Sequence, residues 1–174
     1  FLINYLNSRR GLRLEYCLGF LICLLALGFA FYLEFIKDLE PCPLCILQRV
    51  MIVFAGFLYF LGILHGPKRW GIKIYGGLLL IITLVGLGVA ARQIYIQSLA
   101  VSDFSACSPG LHYLWQTLSL NQFMTSVFQG DAVCALIGPK FLDLSLSEWS
   151  AGLFLLLSLV NLHLVCRDFL TEKK

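Results

Sequence analysis

Charge is what this sequence has least of. Of 174 residues only 13 are Lys or Arg and 10 are Asp or Glu, so 13% are charged; a soluble domain carries about 25%. With 59% hydrophobic residues and a mean hydropathy of +0.85, the chain is neither disordered, nor a small secreted disulfide scaffold, nor an ordinary cytosolic enzyme. A net charge of +3 provides no broad basic surface, which argues against nucleic acid as a partner. No phosphate loop of the form G-x-x-x-x-G-K-S/T occurs, and Ile46 stands where a haem-attachment motif needs histidine. Repeats, low-complexity tracts and linkers are missing as well. The length suits one domain, residues 1–174.

What the chain does have is long uncharged apolar runs. Tyr16–Leu33, Ile74–Ala91 and Trp149–Cys166 are each eighteen residues, and Ile46–Leu64 is nineteen if Arg49 is tolerated near its end. About 20 residues at 1.5 Å rise cross a hydrocarbon core. The runs have almost no polar face, which a soluble bundle would require. The expectation is an all-α membrane protein, a four-helix transmembrane bundle with spans at about 14–35, 45–64, 72–96 and 148–166. The first span lacks a small-residue exit motif and reads as an anchor rather than a cleavable signal. The chain opens on Phe1 rather than Met, as a trimmed N-terminus would.

Nine of the thirteen basic residues lie on one side: Arg9, Arg10, Arg13, Lys68, Arg69, Lys73, Arg167, Lys173 and Lys174. The positive-inside rule places that side, with both termini, in the cytoplasm. A short loop at about 36–44 and a long one at about 97–147 face outward. In the long loop, Leu114, Trp115, Leu118, Phe123, Val127 and Phe128 are spaced as one face of a short helix. Such a helix would lie on the membrane interface or against the bundle ends.

Topology sorts the seven cysteines. Cys17, Cys23 and Cys166 fall within or at the inner end of spans and are expected to be inert packing. Cys42, Cys45, Cys107 and Cys134 all fall outside, where an even number of thiols points to two disulfides. Pro43 suits the first position of a helix, making Cys42 its N-cap and placing Cys45 in the first turn. The helix N-terminus favours a thiolate there, and Arg49, four residues on, adds a cation on the same face. A redox site accounts for this cluster; a structural disulfide and a snorkelling arginine are the bland alternative. Cys107 and Cys134 either staple the long loop, at roughly 3–4 kcal/mol, or form an exchangeable disulfide beside the exposed turn Ser108-Pro109-Gly110. His112 is the one histidine on the outer side, and Asp103, Asp131, Asp143 and Glu148 read as solvated loop charges. Gly76, Gly77, Gly86 and Gly88 read as close helix packing.

Taken in order, these pieces resemble the disulfide bond formation protein B (DsbB) family over essentially the whole chain. The resemblance runs through Pro41-Cys42-Pro43-Leu44-Cys45-Ile46-Leu47-Gln48-Arg49, Ala91-Arg92-Gln93, Cys107-Ser108-Pro109-Gly110-Leu111, Gly130-Asp131-Ala132-Val133-Cys134-Ala135, Phe141-Leu142-Asp143-Leu144-Ser145 and Glu148-Trp149. Asp143 stands where the family often has glycine, and Ser147 where proline is common. The resemblance implies a thiol:quinone oxidoreductase of the bacterial inner membrane, with both outer loops periplasmic. It implies that a DsbA-like periplasmic thiol oxidase is reoxidised at Cys107–Cys134 and that electrons pass to Cys42–Cys45. It further implies ubiquinone or menaquinone as acceptor, met by Cys45 beside Arg49, with Gln48 as a further quinone contact and with Arg92 and Gln93 either contacting the quinone or only anchoring the third span. Two alternatives stay open. One is a vitamin K epoxide reductase-like enzyme, whose C-x-x-C belongs late in the chain; the other is a non-catalytic tetraspan protein with structural disulfides or a metal site.

Overall fold

A computed structural model of the protein describes residues 9–37, 42–67, 69–98 and 145–172. They form four helices: α1 (Arg9–Lys37), α2 (Pro43–His65), α3 (Arg69–Ser98) and α4 (Leu146–Glu172). Each contains an apolar stretch of 21 residues or more, long enough to cross a membrane. The protein is therefore an all-helical membrane protein, and among the described residues there is no strand. The helices outrun the apolar runs at both ends, because ending one inside hydrocarbon would strand backbone N–H and C=O groups. Residues 99–144, with Cys107, Cys134, His112 and the expected interfacial helix, lie outside the described residues, as do Asp103, Asp131 and Asp143.

Local chemistry sets the helix ends. Cys42 (φ −69°, ψ 160°) is the N-cap of α2, with Pro43 in the first turn where a missing N–H costs nothing. At the other end Gly66 is left-handed (φ 52°, ψ 59°), and its N–H donates to the Gly62 carbonyl at 3.1 Å. The start of α4 is a capping box. The Ser145 N–H donates to Glu148 Oε2 at 2.6 Å, and Ser145 Oγ accepts from the Glu148 N–H at 3.4 Å. Glu148 thus corrects one expectation: it is exposed, yet it terminates a helix rather than being a free loop charge.

Consecutive helices pack on one another, α3 with α4 most extensively. Lipid is as apolar as leucine, so close approach and polar contacts, rather than apolar burial alone, must hold the bundle. Between α1 and α2, the Tyr16 and Tyr59 rings meet edge to face at 6.2 Å. Each ring lies over a glycine of the opposite helix: a Cβ on Gly62 would come within 2.7 Å of Tyr16, and one on Gly19 within 2.6 Å of Tyr59. Tyr59 also donates to Asn161 Oδ1 at 2.9 Å, tying α2 to α4 through a fully buried hydrogen bond. In α3, Gly86 faces the Phe154 ring and Gly76 faces Val165, whereas Gly77 and Gly88 face open space. Close packing thus explains two of the four glycines flagged in the sequence. Of the span cysteines Cys23 is buried, while Cys17 and Cys166 are exposed on the outer faces of the helices and pack no core. Large exposed apolar side chains such as Leu25 and Phe35 cover the outside, as a lipid-facing surface requires.

Candidate active site

The start of α2 builds the site. Because Cys42 is an N-cap, its sulfur turns back over the first helical turn and accepts from the Cys45 N–H at 3.3 Å. That brings the two sulfurs to 2.8 Å, as a hydrogen bond between two thiols and not a disulfide. Cys42 is buried against Leu44, Val89 and Ile96, while Cys45 is only partly covered. The pair is therefore asymmetric. One sulfur sits in the protein and the other faces an opening.

That opening is a cavity of about 370 Å³ formed by all four helices. Its walls are mainly apolar, including Ala26, Phe29, Ile52 and Leu153, and the polar side chains Gln48, Arg49, Gln93, Ser147 and Ser150 line it together with Cys45. Small-molecule sites have this form, an apolar shell with a few convergent polar groups. Trp149, half-exposed, closes part of the α4 side.

Arg49 is held by α1. Its Nη1 pairs with Glu34 Oε2, its Nη2 donates to the Ala30 carbonyl at 3.2 Å, and its guanidinium lies 5.6 Å from the centre of the Phe31 ring. A cation at this depth needs such partners. Glu34 directly follows the apolar run Tyr16–Leu33, and the run by itself gives it no role. Its signal was available: it is a carboxylate closing α1 at the level where Arg49 enters α2. Ser147 donates to Gln97 and exchanges a 2.9 Å hydrogen bond with Ser145, joining α4 to the end of α3.

Of the residues singled out beforehand, Cys42, Cys45, Gln48, Arg49 and Gln93 come together at this site. Arg92 does not line the cavity; its guanidinium packs 5.3 Å from the Tyr95 ring centre. Its neighbour Gln93 turns inward instead. Gln93 Nε2 lies 3.2 Å from Cys45 Sγ and 3.6 Å from Cys42 Sγ, and its Oε1 accepts from Gln48 Nε2 at 2.7 Å. The two side chains leave α3 about 100° apart, and the rotation of the helix turns Gln93 rather than Arg92 to the cavity.

A sequence profile of the family described as "Disulfide bond formation protein DsbB" matches residues 13–164. The chain belongs to the DsbB family. The Disulfide bond formation protein B of Nitrosococcus oceani is 39% identical over 154 residues, covering 88% of this chain and 91% of that protein. The protein of the same name from Hahella chejuensis is 40% identical over 143 residues (82% and 87%), and that from Marinobacter nauticus 39% over 152 residues (87% and 90%). No solved structure matches. Family membership together with four spanning-length helices makes this a multi-pass membrane oxidoreductase of disulfide bond formation. DsbB proteins work in general with a thiol oxidase partner and with quinones.

Proposed function

We propose that this DsbB-family chain reoxidises a DsbA-like periplasmic dithiol protein and passes the electrons to a membrane quinone, ubiquinone or menaquinone. The observation that carries the reading is the placement of Cys45, which faces an apolar cavity beside Arg49 while its partner Cys42 is buried 2.8 Å away. Cavity and donors suit a quinone head: the volume is within the usual range for small-molecule sites, and Arg49 and Gln48 offer N–H groups to carbonyl oxygens. When bound, a quinone accepts two electrons and two protons and leaves as the hydroquinone.

The chain's own residues then have distinct tasks. A thiolate of the reduced partner attacks Cys107, breaking the Cys107–Cys134 bond and forming a mixed disulfide. The partner's second thiol resolves it, so the partner departs oxidised and two electrons remain on Cys107 and Cys134. Exchange at Cys42 moves those electrons to the Cys42–Cys45 pair and releases Cys45 as the thiolate. Arg49 stabilises that thiolate and negative charge developing at an acceptor oxygen. Gln48 serves the acceptor from the cavity wall, and Arg92, packed on Tyr95, is assigned no contact with it. The distribution of basic residues supports a bacterial inner-membrane protein with both termini in the cytoplasm and with Cys42, Cys45, Cys107 and Cys134 on the periplasmic side.

The test is quinone reduction by the purified protein, followed by absorbance, with a reduced DsbA-type protein as donor. Turnover by the wild type that is lost in both Cys45→Ser and Cys107→Ser supports the relay. Folded wild-type protein that reduces neither ubiquinone nor menaquinone refutes it.

A further inference from the structure

Two buried glutamines occupy the space behind the cysteine pair. Gln48 and Gln93 are each about 95% buried, a costly arrangement unless their amides are paired. The pairing has a direction. Gln48 Nε2 donates to Gln93 Oε1 at 2.7 Å, which occupies the acceptor end of the Gln93 amide. The end left to face the sulfurs is then the donor, Nε2, 3.2 Å from Cys45 Sγ and 3.6 Å from Cys42 Sγ. A donor does little for a disulfide, whose sulfurs are weak acceptors, but much for a thiolate.

We infer that Gln93 is a catalytic hydrogen-bond donor that holds the reduced pair with its charge on Cys45, and that Gln48 is the positioning residue that keeps the Gln93 amide in donor orientation. The inference deepens the thiol:quinone reading and rests on it for its functional meaning, though the amide geometry does not. Exchange at Cys42 takes the electron pair of the Cys42–Cys45 bond onto Cys45. At that moment Gln93 Nε2 is already in place and no solvent need reorganise. Among the described residues, few charged or titratable groups surround Cys45. From α2 they are Cys42 and Arg49, and from α1 Glu34, held against Arg49. Gln93 is what α3 brings to the cavity, and α4 lines it with uncharged side chains, among them Ser147 and Trp149.

The test is alkylation of Cys45 by iodoacetamide in the reduced full-length protein, read by mass spectrometry at pH 7 and at pH 10. Gln93→Met keeps the length of the side chain and removes the donor. The expected result is a fall of about tenfold in the rate at pH 7, with little change at pH 10, where the thiol ionises without help. Gln48→Met is expected to lower the pH 7 rate in the same sense by a smaller factor. Gln48→Met/Gln93→Met should match Gln93→Met alone, because Gln48 acts through Gln93. A rate within twofold of wild type at pH 7 for Gln93→Met overturns the inference. So does an equal fall at both pH values, which signals altered access, and so does a double variant showing the product of the single effects. Because no quinone takes part, wild-type protein that shows this alkylation pattern but fails to reduce quinone would refute the functional reading and leave the glutamine assignment standing.

Discussion

Replacing Gly86 and Gly88 by alanine, one at a time, tests how the bundle supports its redox site. Both glycines lie in the same apolar stretch of α3 and gain the same helix propensity on substitution, about 1 kcal/mol each. Their surroundings differ. A Cβ at Gly88 meets nothing within 4 Å, whereas at Gly86 it would lie 2.3 to 2.6 Å from three atoms of the Phe154 ring. Relieving that overlap to ordinary contact requires α3 and α4 to separate by about 1 Å, and overpacking of this kind costs about 1–3 kcal/mol. The difference between the two variants cancels propensity and isolates the clash. Gly86→Ala is expected to be less stable than Gly88→Ala by that amount in thermal or denaturant unfolding in detergent. The effect reaches the site because Gln93 lies seven residues beyond Gly86, two turns along the same face of α3. A 1 Å displacement is enough to break its 3.2 Å contact with Cys45. Gly86→Ala should therefore also slow alkylation of reduced Cys45 at pH 7, and Gly88→Ala should not. Equal stability of the two variants would refute the packing argument.

Three further outcomes are expected. Tyr59→Phe removes the buried donor to Asn161 Oδ1 and leaves that oxygen unpaired, which should destabilise the bundle by about 1–2 kcal/mol in the same unfolding assay. Ser145→Ala breaks the capping box of α4 and should cost about 1 kcal/mol, read as earlier proteolysis at the junction before Leu146. Arg49→Lys keeps the cation but carries all its N–H groups on one nitrogen, and so loses the fork by which Nη1 and Nη2 span Glu34 and the Ala30 carbonyl. It should raise the KM for quinone severalfold while leaving the fold intact by circular dichroism.

Much of this protein is written along the chain, because the interactions concerned are local or are set by the membrane. Four apolar runs bounded by charge determined four spanning helices, since lipid forces every backbone polar group to pair within its own segment. Pro41-Cys42-Pro43-Leu44-Cys45 determined an N-cap cysteine beside a first-turn cysteine, because Pro43 begins a helix and cannot continue one from before. The spacing of Cys45 and Arg49 placed them on one face by the helical period alone. Other features depended on which helix lies against which, a matter of side-chain shape across long sequence separations. Glu34 and Arg49 are fifteen residues apart and on different helices, so their pairing follows from the α1–α2 crossing. Gln93 rather than Arg92 faces the sulfurs because of the rotation of α3, and Gly86 rather than Gly88 marks an interface for the same reason. Periodicity can show that a helix has faces, but in a chain apolar all round it does not say which face meets a neighbour and which meets lipid. Only the packing of the four helices decides that, and with it which polar groups surround Cys45.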